Sequence, residues 1–228
     1  MYTKLLKMVA EELINYMVPP LKVDDDITRA KQWMDEFRVK ELPVVDQTAL
    51  LGFISEEMLF DSDIMKPLVG DYPLEGNSCV VEPNRHYYDV LKVMSEHEMT
   101  MVAVMSHDNE FKGVVVVEDI LKEFADTAIV NAVGAIIILR TALNDYSLSE
   151  ISRIVEMNES AILGANVKPD SDDPALIEIV LRINNQDVNQ ICTGLAKSGY
   201  EVISSYNTED RSFDEKDRFG HLMKFLDP

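Results

Sequence analysis

The sequence predicts an α/β (α+β) protein: two copies of one strand–helix–strand–strand–helix unit, then a separate βαββαβ module of ferredoxin-like type. Three observations carry this prediction. Helical and strand periodicities return in the same order after about 60 residues, as in a duplicated supersecondary unit. Leu176–Ile183 alternates, with Ile177, Ile179, Leu181 and Ile183 on one side, the pattern of a strand covered on one face. Turn residues at 169–174 and at Ser198-Gly199 fall where strands and helices of the C-terminal part should stop.

In the first copy Leu21 opens a short strand. Asp24, Asp25 and Asp26 then supply a turn and an acidic helix start, which favours the positive end of the helix dipole. Ile27, Ala30, Trp33, Met34 and Phe37 follow at helical spacing. Leu42, Pro43, Val44 and Val45 form a strand and 47–49 a turn. Leu51, Gly52, Phe53 and Ile54 form a second strand, leading to a helix at Glu56, Glu57, Met58 and Leu59.

In the second copy Val80 and Val81 open the unit, and a helix starting at Glu82-Pro83-Asn84 carries Tyr87, Val90, Leu91 and Met94. Val102, Ala103 and Val104 form a strand, Asp108 and Asn109 a turn, 113–117 the last strand and 118–124 a helix. Met34 falls on Met94, Glu36 on Glu96 and Val44 on Val104; after one extra turn residue, Gly52 falls on Gly113.

The third module reads as a strand at 134–140, a turn at 144–146 and a helix marked by Leu148, Ile151, Ile154 and Val155, with Ser149 and Glu150 near its start. A second strand covers 161–168, followed by the alternating strand. Asp187 caps a helix carrying Val188, Ile191, Leu195 and Ala196, Gly199 ends it, and 200–206 is the last strand. These boundaries divide the chain into 1–66, 67–127, 133–206 and an acidic tail, 207–228. That tail ends in Phe219, Leu222, Met223, Phe225 and Leu226, a short amphipathic piece expected to dock on the body or on a second subunit.

Composition narrows function. The chain carries 41 Asp+Glu against 21 Lys+Arg, a formal charge of −20, with the basic residues scattered singly. A polyanion or an anionic membrane face would be repelled at long range, so no nucleic-acid and no membrane partner is expected. Met1 to Met8 does not read as a secretory signal, and no run approaches the ~18 apolar residues of a spanning helix. A cytoplasmic location is expected, with Cys79 and Cys192 as free, buried thiols.

The repeat resembles the CBS domain, the module named after cystathionine β-synthase. The likeness rests on Asn15-Tyr16-Met17-Val18-Pro19-Pro20, Leu42-Pro43-Val44-Val45-Asp46 and Gly52-Phe53-Ile54-Ser55 in the first copy. In the second it rests on Val104 and on 113–119. The resemblance implies a tandem pair (a Bateman module) packed sheet to sheet, with two clefts for an adenosine-containing ligand: AMP, ADP, ATP or S-adenosylmethionine. It places the first cleft at Lys22, Lys40, Glu41, Leu42, Pro43, Ile54, Ser55 and Met58. The second lies at Val81, Thr100, Met101, Val102, Ala103, Val115, Val116 and Asp119. In this pattern the glycine admits ligand backbone-close, the hydroxyl and helix amides hold phosphate, and the carboxylate holds ribose. The Gly-x-x-Ser/Thr-x-x-Asp signature is split: Gly52, Ser55 and Met58 keep the hydroxyl, whereas Gly113, Val116 and Asp119 keep the carboxylate. Either one cleft binds through a substituted contact set, the Asp119 cleft being the better candidate, or both are vestigial.

The third module looks like an ACT domain, which in relatives senses amino acids or pairs subunits. Asn144-Asp145-Tyr146-Ser147 lacks the glycine expected where an amino acid would lie, so a dimer-forming or structural role is the expectation. The order of modules is similar to acetoin-utilisation protein B-type regulators, which implies a regulatory homodimer, with a protein partner unspecified. No enzyme is expected. His86, His97, His107 and His221 lack zinc-ligand spacing, Ser55 has no nucleophile-elbow context, and the acidic runs at 24–26 and 170–173 lack the glycine and distal Glu of a calcium loop.

Overall fold

The computed structural model describes residues 8–60 and 66–207, so Met1 to Lys7 and the amphipathic tail with His221 lie outside the described residues. The chain divides into two compact units, Met1–Phe124 and Ala125–Pro228. No helix among the described residues is long and apolar enough to cross a membrane.

In the first unit, α1 (Ile27–Phe37) starts because the Asp26 carboxylate accepts from the Thr28 amide, and it ends in left-handed Arg38, φ 55°. Its buried residues, Ala30 and Met34, lie one turn apart. It leads to β1 (Glu41–Asp46), which pairs antiparallel with β2 (Ala49–Ser55), and then to α2 (Glu56–Phe60). The second half repeats this: β3 (Val80–Val81), α3 (Tyr87–Glu96), β4 (Met101–Met105), β5 (Phe111–Val116) and α4 (Val117–Ala125). The duplication is visible in backbone detail. Val44 faces Gly52 and Val104 faces Gly113, each just before a bulge, and both glycines have φ +149°. Leu21 bridges Val44 in parallel as Val81 bridges Val104, so the first copy's opening strand is a single bridge where the second copy has two paired residues.

Two segments cross between the halves. Residues 8–15 lie on the second copy: the Ala10 amide donates to the Arg85 carbonyl (2.8 Å), Tyr87 to Met8 (2.9 Å) and Asn15 to Val114 (2.8 Å). Residues 67–75 lie on the first: Ile27 donates to Pro67 (3.0 Å), Gly70 to Val23 (2.9 Å) and Phe53 to Glu75 (2.7 Å). Each copy is thus completed by the stretch that precedes the other, and one apolar cluster spans both, from Leu21, Leu42, Val44, Phe53 and Ile54 to Val102, Ala103, Val104, Val114 and Val115.

Three sequence expectations shift here. The second-copy helix begins at Tyr87, not at 82–84, because His86 serves as its cap: Nδ1 accepts the Tyr88 amide at 3.4 Å. Val117 opens α4 and does not extend β5. Both glycines admit the chain's own atoms. A Cβ on Gly52 would meet the Glu75 carbonyl oxygen at 2.8 Å, and one on Gly113 would meet Ile14 Cγ2 at 2.5 Å.

The second unit begins with a short α5 (Ala128–Asn131) and continues β6 (Ala135–Ala142), α6 (Leu148–Glu156), β7 (Ile162–Pro169), β8 (Leu176–Ile183), α7 (Asn189–Lys197) and β9 (Glu201–Asn207). The antiparallel sheet runs β7-β8-β6-β9. Both helices cover one face, where Ile151, Ile154, Val155, Val188, Ile191 and Leu195 meet Ile137, Leu139, Ile179 and Leu181. Ser147 caps α6 by accepting the Glu150 amide (3.3 Å). Asp187 does not occupy the cap of α7, which is Val188; its carboxylate accepts from the Asn189 amide at 3.2 Å. Gly199 has φ +94° and terminates that helix. On the strand face opposite the helices, Arg140 pairs with buried Asp170 (2.7 Å), while Arg182 donates to the Ala132 carbonyl. Asp170 also accepts from the Asp172 and Asp173 amides, and these bonds hold its carboxyl below the ordinary range. The acidic run at 170–173 thus serves to close the 169–174 turn.

Candidate functional site

The candidate site grows from the first turn of α4. Asp119 stands one turn beyond buried Val116 (4% exposed), and both of its oxygens are engaged. Oδ2 accepts from Asn15 Nδ2 at 2.7 Å across a sequence separation of 104, and Oδ1 accepts from Lys122 Nζ at 2.7 Å. The pair with Asp119 raises the Lys122 ammonium above its ordinary range, the hydrogen bond contributing most. Asn15 is fixed in turn: its backbone amide donates to Val114 and its Oδ1 accepts the Met17 amide at 2.9 Å. A hollow of about 510 Å³ opens here, with Asn15, Tyr16, Met17, Asp119, Lys122 and Glu123 among its walls. Tyr16 and Met17 are 80% and 72% exposed, so an aromatic ring and a thioether stand beside the carboxylate.

The other residues expected in this cleft are placed differently. Val81, Met101, Val102, Ala103, Val115 and Val116 are buried in the core and form the hollow's scaffold behind β4 and β5, not its lining. Val81 also lines a second hollow of about 400 Å³ with Glu82, Arg85, Asp89, Lys92 and His107. That hollow borders the Met105 end of β4, whereas Met101 at the other end pairs with Val116 ahead of α4.

In the first copy, Leu42, Pro43 and Ile54 are buried, and Lys22 and Lys40 are exposed. The Lys40 carbonyl accepts the Glu56 amide at 2.7 Å, as the Thr100 carbonyl accepts Val117 at 3.0 Å. The Ser55 hydroxyl accepts from Met58 at 3.3 Å and so caps its own helix. Glu41 and Thr100, expected in different clefts, meet: Glu41 Oε2 accepts from the Thr100 amide (3.2 Å) and hydroxyl (3.1 Å). Partial burial pushes the Glu41 carboxyl up, and the Thr100 bonds offset part of that rise. Cys79 lies close by, its Sγ 3.4 Å from the Met101 carbonyl; desolvation, then the charge of Glu41, push its thiol up to about 12. Cys79 is buried as expected, while Cys192 is only half-buried.

Asn15 and Lys122 were not assigned roles from sequence. Lys122 was legible, since i and i+3 side chains on a helix are neighbours. Asn15 was legible only through the repeat, because Glu75, about 60 residues on, occupies the corresponding place against Phe53. Among the described residues no group of three or more His, Cys, Asp or Glu side chains could hold a metal ion.

Residues 62–126 match the family model described as the CBS domain, a span that takes in the second copy and the segment leading into it. Solved structures similar in fold include a CBS domain pair/ACT domain protein from Thermotoga maritima. It is 18% identical, with a TM-score of 0.46, over 52% of this chain and 98% of that one. Hypoxic Response Protein I with two coordinated zinc ions is 24% identical, with a TM-score of 0.43, over 50% and 97%. CBSX2 in complex with AMP is 18% identical, with a TM-score of 0.45, over 51% and 95%.

Proposed function

We propose that this chain is a regulatory ligand-sensing protein that binds an adenosyl ligand beside Asp119 and reports it through the geometry of a homodimer. The observation that carries the reading is the braced carboxylate. Asp119 faces a hollow of about 510 Å³, held in place by Asn15 and Lys122. A carboxylate has about four acceptor sites, so two engaged bonds leave capacity for ribose hydroxyls. Tyr16 offers a face on which a purine can stack. The hollow joins residues 8–15, which complete the second copy, to α4; a ligand touching both has a differential interaction with two arrangements of these parts, as a population shift requires. The second unit, read as an ACT-like module, supports subunit pairing. A cytoplasmic, acetoin-utilisation protein B-type regulator is the reading this organisation favours.

The test is thermal shift with AMP, ADP, ATP and S-adenosylmethionine. At 100-fold over Kd a ligand adds about 2.7 kcal/mol to stability, several degrees of melting temperature. Asp119→Ala should remove the shift while the unliganded protein still melts cooperatively. Ligand indifference across the series overturns the proposal. It would favour the alternative that both clefts are vestigial and the protein is an interaction module, a reading supported by the Ser55 hydroxyl already serving the Met58 amide. That module would remain an oligomer and co-purify with a partner.

A further inference from the structure

We infer that the hollow beside Asp119 selects an adenosyl compound that carries a positive charge and no phosphate. This rests on the adenosyl reading above and narrows its ligand class. Three features of the hollow and of the core behind it carry it.

The first is the balance of charge. Among the described residues of the lining, Glu12, Asp119 and Glu123 are acidic and Lys122 is the one cation, its ammonium bound to Asp119 Oδ1 at 2.7 Å. An arriving phosphate therefore meets carboxylates and, among the described residues, no uncommitted cation on the lining, in a chain of formal charge −20. The second is the end of α4. A helix start ordinarily favours an anion, through free amides and the positive end of the dipole. Here Glu118 and Asp119 already occupy that first turn, and the Val117 amide is given to the Thr100 carbonyl at 3.0 Å. The third is the missing hydroxyl. The side chain that would hold phosphate is Val116, apolar and buried in the core. What remains suits a cation: carboxylates, the exposed ring of Tyr16 and the thioether of Met17. A ring face attracts a positive centre through its quadrupole.

The experiment is calorimetric titration of the full chain, without divalent metal, using five probes that vary charge on a common adenosine. S-adenosylmethionine is compared with methylthioadenosine, and adenosine with AMP; ATP closes the series. One charge about 4 Å from another contributes about 1 kcal/mol in the water-like surround of an open hollow and more where solvent is excluded, so affinity should change by about tenfold or more. S-adenosylmethionine should bind tighter than methylthioadenosine, adenosine about tenfold tighter than AMP, and ATP weakest. The gaps should narrow between about 0.05 and 0.5 M salt, as screening demands. Glu123→Gln should reduce the advantage of S-adenosylmethionine, and Asp119→Ala should weaken every member that binds. AMP or ATP matching or exceeding adenosine overturns this inference but leaves the adenosyl reading intact. Binding unaffected by Asp119→Ala places the ligand elsewhere and overturns it too. Silence from all probes at millimolar concentration overturns both.

Discussion

Asn15 Nδ2 and Asp119 Oδ2 are 2.7 Å apart although 104 residues separate them in sequence. The bond ties the segment at the front of the chain to the first turn of α4. Asn15→Ala removes it together with the Met17 amide's acceptor at 2.9 Å. A hydrogen bond to a charged group contributes about 1.5–3 kcal/mol when buried and less at a partly exposed site. We expect Asn15→Ala to lose about 1–2 kcal/mol in urea melting, and a double-mutant cycle with Asp119→Ala to return a coupling of about 0.5–1.5 kcal/mol. Strict additivity would show that the two side chains do not support each other.

The paired glycines predict unequal outcomes. Gly52 and Gly113 share φ +149°, a conformation that L side chains rarely adopt, so alanine is strained at both. We expect each substitution to cost about 2–4 kcal/mol. They differ in what blocks the new methyl. At Gly52 it is the Glu75 carbonyl oxygen at 2.8 Å, part of the chain itself; at Gly113 it is the Ile14 Cγ2 methyl at 2.5 Å. Ile14→Ala removes that methyl, so the Gly113→Ala, Ile14→Ala double variant should be more stable than the sum of the single losses. No side-chain truncation should relieve Gly52→Ala. Equal costs with additive doubles would refute the packing argument.

These glycines also show where sequence reading succeeds and stops. The repeat was legible because period and order are local properties, but the pairings Val44 with Gly52 and Val104 with Gly113 were not: turn length alone would set Leu51 and Lys112 there, and a bulge in each hairpin moves the register by one. The Asp26 cap and the alternating strand Leu176–Ile183 were legible too. The start of α3 was misplaced because an acidic residue and a proline at 82–83 imitate a helix entry, while His86, an uncommon cap, fills that role. The site was half legible. Asp119 and Lys122 share one helix, but Asn15 comes from a segment packed on the other copy. Nothing local announces that crossing. Burial decided the rest: Val102 and Val115 carry a strand pattern that fits a purine cleft or a core equally well, and the structure puts both in the core.

Glu41 gives a pH prediction with a definite sign. Burial raises its carboxyl above the ordinary value of 4.5 despite the Thr100 bonds. The folded state therefore holds the proton more tightly than the unfolded chain does. The cost of ionisation is absent below 4.5 and develops as pH rises through the higher folded value. Glu41→Gln keeps an acceptor for Thr100 without the charge. At pH 7 it should melt at or above the wild type, the gain staying under about 1 kcal/mol because solvent screens a partly exposed group. Near pH 4 the two curves should converge. A variant much less stable at pH 7 would mean that the charged hydrogen bond outweighs desolvation.

The two thiols should report the packing of each unit separately. Cys79 is buried and donates toward the Met101 carbonyl at 3.4 Å, and its thiol is pushed up to about 12. At pH 8 a thiol with that value is ionised in about one molecule in ten thousand, and the thiolate is the reactive form. Cys192 is half-buried; burial raises its thiol also, offset in part by the Ser205 hydroxyl. Alkylation in native buffer followed by peptide mass spectrometry should label Cys192 first. Cys79 should become reactive only as denaturant opens the first unit, in step with its unfolding transition. Equal labelling rates without denaturant would mean that the cluster around Met101, Glu41 and Thr100 opens locally.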